Sequence, residues 1–327
     1  MVFGLPLERG ARGEAVRDLH RRLTALGHAP GGDAPGHYGE GTTGAVRAFQ
    51  GDRGLRADGV CGAQTWSALV EAGYRLGQRL LYRRTPMLRG DDVASLQRTL
   101  GALGFDAGRI DGIFGDATAA ALVEFQRNAG ITVDGICGPA SLAALERLSA
   151  KGQDQEPVAG LREREHLLEA PRGLNGRRVA VGHEGGLPAL VTAAARALAQ
   201  AGAEPLVLAH PDGSHQASEA NAAAVEVYVG LRLDPHGEGC TTCYYRGYRY
   251  ESAGGRRLAE LLRDALAPVV GSTNLTTQGM SIPILRETRM PAVVCELGPG
   301  PVVVERSQEI AAAVVSALLR WTAAPCD

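Results

Sequence analysis

The feature that most constrains this chain is an internal duplication in its N-terminal half. The segment Arg12–Gly27 matches Arg89–Gly104, and Asp58-Gly59-Val60-Cys61-Gly62 matches Asp134-Gly135-Ile136-Cys137-Gly138. Residue 13 aligns with residue 90 and residue 49 with residue 125, so the offset changes from 77 to 76 and one single-residue gap suffices. Each copy should therefore fold into the same small unit.

Each copy predicts three helices, with a Gly-rich loop after the first and an Asp-Gly turn after the second. In copy two, Leu96, Leu100 and Leu103 are spaced as on one apolar face of a helix. Asp134-Gly135 is typical of a tight turn in which glycine takes a positive φ. Gly138-Pro139 then begins the last helix, since proline suits a first turn. We expect two compact three-helix modules, at residues 5–75 and 82–150.

The pattern changes after the repeats. Residues 151–174 are polar and predict a linker that includes a short surface helix from Arg162 to Glu169. From Asn175, strands alternate with helices, beginning with a strand at Arg178–Val181 and a helix at Leu187–Ala201. We expect an α/β domain at residues 175–323, with a twisted central sheet flanked by helices. Further strands are predicted at 204–208, 225–231 and 291–296. The chain is thus multidomain, with two all-α modules before an α/β domain.

Composition excludes several classes of protein. The formal net charge is −2, which argues against a nucleic-acid partner because such binding needs a basic surface. No apolar run approaches the ~20 residues of a membrane-spanning helix. The N-terminus lacks a basic region followed by an apolar one, so we expect no signal peptide and a cytoplasmic protein, membrane-associated only through partners. The six cysteines are scattered, which predicts reduced thiols.

Copy two carries a motif series that is very similar to the peptidoglycan-binding domain of wall hydrolases. In order, the motifs are Arg89-Gly90-Asp91-Asp92-Val93, Asp111-Gly112-Ile113-Phe114-Gly115, Phe125-Gln126 and Val133-Asp134-Gly135. The resemblance implies a shallow groove for a glycan-peptide, formed by the Asp-Gly loops and nearby helix ends. The residues expected to bind are Asp58, Gly59, Asp111, Gly112, Phe114, Asp134 and Gly135. Alternatively, these residues only form turns and cap helices.

Copy one departs from this pattern. Residues 28–37 are rich in glycine and proline, and Pro35-Gly36 stands where copy two has Asp111-Gly112. We therefore expect a different groove in the first module.

The α/β domain resembles the zinc-dependent N-acetylmuramoyl-L-alanine amidase family. The resemblance lies in Val179–Gly186, in Ala220–Arg232 and, most specifically, in Ile284–Glu296. It implies a zinc ion held by two histidines and a glutamate, with a second glutamate as catalytic base. Glu296 matches the base by position.

The zinc ligands of the family do not carry over intact. His183 takes the first histidine position only with a one-residue gap, and Glu184 takes it without one. The loop that carries the family's ligand glutamate is missing. Arg232 occupies the position of the other histidine, and an arginine has no lone pair to donate to a metal. Its guanidinium would repel Zn²⁺ and could pair with Glu296. His236 is a substitute ligand that the sequence leaves open.

Two further motifs each have two interpretations. Cys240-Thr241-Thr242-Cys243 is either a weak zinc pair or two small hydrophobic thiols at the start of a strand. The run from Tyr244 to Tyr250 holds four tyrosines and two arginines. It predicts either an exposed surface for a partner or glycan, or an edge hairpin.

The lost histidine, the tandem repeats and the missing export signal together resemble one actinobacterial subgroup of this amidase family. That resemblance covers nearly the whole chain. It implies a catalytically inactive cytoplasmic regulator of peptidoglycan precursor synthesis, acting on the UDP-GlcNAc enolpyruvyl transferase (MurA). Its ligands would be peptidoglycan fragments or a lipid-linked precursor.

Two alternatives remain. The first is an active zinc amidase that cleaves the muramoyl-peptide amide bond, and only this alternative requires zinc as a cofactor. The second is a scaffold whose repeats dock another enzyme.

Overall fold

The computed structural model describes residues 4–149, 158–234, 237, 239–247, 250–271 and 274–326. The chain forms two compact units, Met1–Ala159 and Gly160–Asp327. The first unit holds the repeats and the second holds the α/β domain.

The described part of the first unit contains three helices in each repeat, as the sequence predicts. The first module consists of α1 (Glu14–Ala25), α2 (Glu40–Asp52) and α3 (Ala63–Ala72), and the second of α4 (Asp91–Ala102), α5 (Asp116–Asn128) and α6 (Pro139–Ser149). Each module has its own apolar core, with Phe49 buried in one and the equivalent Phe125 in the other.

Equivalent backbone bridges close the two modules. Leu7 bridges to Cys61, and Leu81 bridges to Cys137 in the same way. Both cysteines are buried, and burial raises the pKa of each thiol to about 12. Cys61, Cys137, Cys240 and Cys295 are free thiols, in agreement with the prediction of reduced cysteines.

A buried glutamine holds each Asp-Gly turn of the two repeats. Gln97 Nε2 donates to Asp111 Oδ1 at 2.9 Å and to Thr118 Oγ1 at 3.0 Å, and its Oε1 accepts from the Gly112 N–H at 2.9 Å. Gln50 and Gln126 make the equivalent bonds. Each glutamine thus provides hydrogen-bond partners for the Asp carboxylate and the Gly N–H of its turn.

The segment between the repeats is built into the second module. Arg79 donates to both carboxylate oxygens of Asp92, at 2.6 and 3.0 Å, and to the Arg89 carbonyl at 2.7 Å. Its guanidinium lies 3.6 Å from the centroid of the Tyr74 ring. Asp92 is fully buried, and its hydrogen bond raises the pKa of Arg79. A further ion pair of 2.9 Å, between Arg53 and Asp91, connects the two repeats.

The second unit is built on a six-stranded sheet with the order β2-β1-β3-β6-β4-β5. Its strands are β1 (Arg178–His183), β2 (Glu204–Ala209), β3 (Val227–Leu233), β4 (Gly239–Tyr245), β5 (Asn274–Met280) and β6 (Ala292–Leu297). Its helices are α7 (Val158–Glu169), α8 (Pro188–Gln200), α9 (Gly213–Ala222), α10 (Ala253–Val270), α11 (Pro283–Glu287), α12 (Gly300–Glu305) and α13 (Ser307–Ala323). Neighbouring strands are parallel, except that β4 is antiparallel to β6.

The two faces of the sheet carry different helices. The apolar core lies on the face of α8, α10 and α13, and includes Val181, Leu231 and Cys295. The opposite face is covered by α9 and α11. Asn221 joins α9 to the chain before β6, donating to the Glu287 carbonyl at 2.8 Å and accepting from the Arg289 N–H at 2.9 Å.

The structure corrects the interpretation of the tyrosine-rich run. β4 lies between β6 and β5, so the run does not belong to an edge hairpin. Tyr244, Tyr245 and Tyr250 are buried, which rules out an exposed surface built on these three rings. Cys240 and Cys243 are buried on β4, as expected of small thiols near the start of a strand. Tyr248 and Arg249 lie outside the described residues.

The second unit also begins earlier than residue 175. α7 starts at Val158 instead of Arg162 and packs Leu167 into the core of this unit, together with Leu174. Part of the predicted linker is therefore structured. No helix in the described ranges is both long and apolar enough to cross a bilayer.

The glutamine bonds predict a stability effect. Gln97→Ala should lower the free energy of unfolding of the second module by about 2 kcal/mol, because the buried Gly112 N–H loses its acceptor. Hydrogen exchange of the second-module amides in the full-length protein measures this loss. Gln64→Ala, at an exposed position of α3, should leave exchange unchanged. Equal exchange in the Gln97 variant and the wild type would contradict the structural role.

Candidate functional site

The candidate site lies where the parallel strands β1, β3 and β6 end. Arg232 of β3 is in register with Glu296 of β6. Their neighbours Leu231 and Cys295 point into the core, so strand alternation places Arg232 and Glu296 on the opposite face. The carboxyl edge of such a sheet is the usual place for ligand sites in α/β folds.

Arg232 is paired with Glu184, the first residue after β1. The guanidinium Nη2 donates to Glu184 Oε1, with the two side chains 22% and 38% exposed. Glu184 therefore shares a face with Arg232. This contact supports the ungapped alignment, in which Glu184 takes the first histidine position of the family.

His183 is placed differently. As the last residue of β1 it alternates with Gly182 and lies on the Val181 side of the sheet, away from Arg232. Its Nδ1 accepts a hydrogen bond from the Gly185 N–H at 3.2 Å. The structure thus does not bring His183 to the face that carries Arg232 and Glu296. His236 lies outside the described residues.

A buried network that the sequence analysis missed supports this edge. The Tyr228 hydroxyl donates to Gln216 Oε1 at 2.7 Å, and Gln216 Nε2 donates to the carbonyls of His183 at 3.1 Å and His210 at 2.5 Å. Burial raises the pKa of Tyr228. A Cβ on Gly182 would lie 1.9 Å from the Tyr228 hydroxyl, so only glycine leaves room for it. The sequence signal for this network was Gly182, because a glycine inside an apolar strand often marks the close approach of another group.

Among the described side chains at this edge, Arg232 cannot serve as a zinc ligand. Zinc needs lone-pair donors such as imidazole, thiolate or carboxylate, and Arg232 offers none while it engages the Glu184 carboxylate. Within the described ranges, no three His, Cys, Asp or Glu side chains converge to hold a metal ion. The arrangement of Glu184, Arg232 and Glu296 instead supplies a fixed positive charge between two acidic positions.

In the repeats, the residues predicted to bind a ligand all take part in turns or in the core. Asp58 and Asp134 are exposed, and their Oδ1 atoms accept from N–H groups two residues on, at 2.8 and 2.9 Å. The bond from Ile136 N–H lowers the pKa of Asp134. Asp111 makes the same bond, and Gly59, Gly112 and Gly135 take positive φ. Ligand binding by these turns stays a prediction.

Phe114 is not part of the exposed Asp-Gly turns. Its ring is fully buried in the core of the second module. Its role in ligand binding stays a prediction.

The first module holds its divergent loop with different side chains. His20 stands at the Gln97 position, and its Nε2 contacts Thr42 Oγ1 at 2.8 Å. Asp33 accepts from the Thr42 hydroxyl at 2.6 Å and from the N–H groups of Thr42, Gly39 and Gly41. Burial raises the pKa of Asp33, but these hydrogen bonds outweigh it and bring the pKa to about 2.

The depressed pKa of Asp33 predicts an acid-dependent loss of stability. An ionised carboxylate favours the folded loop, so its contribution is present above the unfolded pKa of 3.8 and fades as pH falls towards about 2. Asp33→Asn should therefore raise amide exchange at residues 39–42 at pH 7, and differ less from the wild type near pH 2. The exposed Glu8→Gln is the control. An equal effect of Asp33→Asn at both pH values would contradict this assignment.

The shared face of Glu184 and Arg232 predicts how a metal site could be rebuilt. Arg232→His alone should not bind zinc, because one imidazole beside Glu184 lacks a second nitrogen ligand. Glu184→His combined with Arg232→His should bind zinc at least tenfold more tightly than either single variant. Competition with a chromogenic chelator measures the affinity. The control is His183→Ala added to the double variant, and this triple variant should keep the metal because His183 lies on the other face of the sheet.

Tight zinc binding by Arg232→His alone would contradict this prediction. So would loss of the metal when His183→Ala is added to the double variant.

Comparisons with known proteins agree with the two-part architecture. Residues 12–69 and 89–145 match the putative peptidoglycan binding domain family. The chain is 33% identical to N-acetylmuramoyl-L-alanine amidase CwlM of Mycobacterium tuberculosis, over 90% of this chain and 82% of that protein. It is 34% identical to amidase CwlL of Bacillus licheniformis, over 44% of this chain and 46% of that protein.

Among solved structures, the amidase Ami1 of Mycobacterium smegmatis aligns with 46% of this chain and 99% of its own, at a TM-score of 0.39 and 16% identity. The family assignment rests on the sequence match to CwlM, which extends through both units. The chain belongs to the N-acetylmuramoyl-L-alanine amidase family that includes CwlM.

Proposed function

We propose that this chain is a catalytically inactive amidase homologue that senses peptidoglycan-related ligands and regulates cell-wall precursor synthesis in the cytoplasm. The observation that carries the proposal is the Arg232–Glu184 ion pair beside Glu296. Peptidoglycan as the ligand class is supported by the two matches to the peptidoglycan binding domain.

The ion pair opposes the chemistry of a zinc amidase. Such an enzyme needs three protein ligands and an open position where zinc activates a water molecule. Arg232 brings a permanent positive charge to a former ligand position, where it repels a second cation. Without an activated water, the Glu296 carboxylate has no nucleophile to deprotonate. The fold would then retain a binding edge without the hydrolytic step.

The second part of the proposal names the enzyme that this chain regulates and the ligand that it senses. We propose the UDP-GlcNAc enolpyruvyl transferase (MurA) as the regulated enzyme, with peptidoglycan fragments or a lipid-linked precursor as the signal. Similarity to CwlM through both units supports a shared role for the whole chain.

The competing candidate is an active zinc amidase. It is favoured by Glu296, which stands in register with β3 at the position of the family's base. It requires that other side chains supply the zinc ligands.

Metal analysis and digestion separate the two candidates. We expect the purified native protein to contain far less than one zinc per chain by mass spectrometry, and to release no stem peptide from muropeptides, because Arg232 blocks the cation position. CwlL serves as the active control. One zinc per chain together with amide cleavage would overturn the proposal. An unchanged transferase rate with and without this protein, in the presence of muropeptides, would overturn its regulatory part.

A further inference from the structure

A groove in the first module lies outside all the residues discussed as ligand-binding so far. It runs between the C-terminal halves of α1 and α3 and has a volume of about 370 Å³. This volume falls within the range of small-molecule sites, roughly 300–1,000 Å³. The lining is apolar at Ala25, Leu26, Leu69 and Ala72 and charged at Asp18, Arg21, Arg22 and Arg75.

One carboxylate holds two guanidinium groups on the wall of this groove. Asp18 accepts from Arg21 at 2.9 Å through Oδ1 and from Arg22 at 3.0 Å through Oδ2. The Arg22 guanidinium also lies over the Trp66 ring, with 5.5 Å between Cζ and the ring centroid. Arg22 is therefore held in place before any ligand arrives, which reduces the entropy cost of binding.

The charge of the lining favours an anion. The lining contains three arginines, Arg21, Arg22 and Arg75, and one acidic residue, Asp18, so its net charge is about +2. A guanidinium has five N–H donors in a planar fork that matches the geometry of a carboxylate. The apolar side chains at the base suit a small aliphatic group next to that carboxylate.

The second module shows that the fold does not require these residues. It forms the same three helices with Thr99 at the position of Arg22 and Ser95 at that of Asp18. Leu148 replaces Ala72, adding a larger side chain where the first module has its groove. Arg21 has a counterpart in Arg98, whereas Asp18, Arg22 and the space beside Ala72 are peculiar to the first module and call for an explanation other than folding.

We propose that this groove binds a muramyl peptide through its carboxylate. Arg21 and Arg22 receive the carboxylate, and the apolar base formed by Leu26 and Leu69 contacts the alanyl side chain. This inference rests on the proposed function, because it takes peptidoglycan fragments as the ligand class. Beyond the proposed function, it names the first module as the binding module, the groove as the site and the carboxylate as the recognised group.

Titration calorimetry on the full-length protein tests the groove, with muramyl dipeptide and its carboxamide as probes. Arg22→Thr, which installs the residue of the second module, should weaken muramyl dipeptide binding at least tenfold. Ala72→Leu should cause a similar loss by filling the groove without changing charge. Both substitutions introduce residues that the second module tolerates. The exposed Arg9→Thr should bind like the wild type, and the carboxamide should bind weakly to every variant.

The outcomes separate this inference from the proposed function. If the wild type binds muramyl dipeptide and both groove variants bind it equally well, the groove assignment is wrong while the ligand class stands. If the wild type binds isolated sacculi but not the dipeptide, the groove assignment is again wrong. If the wild type binds neither, peptidoglycan recognition itself fails, and the groove assignment with it.

Discussion

The permanent charge of Arg232 is the constraint on which the chemistry of the α/β unit depends. An arginine at the end of β3 can be neither deprotonated nor metallated, so acidic groups nearby must arrange themselves around it. Glu184 does so directly, and Glu296 stands in register on the next strand. A cation built into the chain thus occupies the edge where the related enzymes are expected to bring a metal ion.

Much of this architecture could be predicted from local patterns. The duplicated leucines and Asp-Gly turns predict the helical modules, because helix periodicity and turn preferences are determined by residues close together in the sequence. β5 escaped prediction because Asn274–Met280 mixes threonine and glutamine without apolar alternation, and β4 was predicted only as one of two interpretations of the Cys240–Cys243 motif. Arg232 and Glu296 were identified from the sequence. The sequence alone could not decide whether His183 or Glu184 takes the first histidine position of the family. A shift of one residue along a strand moves a side chain to the other face of the sheet.

The two repeats show how one scaffold can be held by different side chains. In the second module Gln97 organises the first loop, whereas His20 and Asp33 share this task in the first. Neither solution disturbs the three helices. Sequence comparison alone aligned Pro35-Gly36 with Asp111-Gly112 but could not indicate that Asp33, outside the motif, supplies the missing hydrogen bonds.

The Arg79–Asp92 pair also determines where the repeats can be cut apart. A fragment that starts at residue 82 would retain Asp92 in the interior but lose the guanidinium that neutralises it. Removing one partner of a buried ion pair typically costs about 3–5 kcal/mol, a large part of the stability of so small a domain. A fragment of the second repeat that keeps this ion pair and the Tyr74 ring over its guanidinium therefore begins at or before Tyr74.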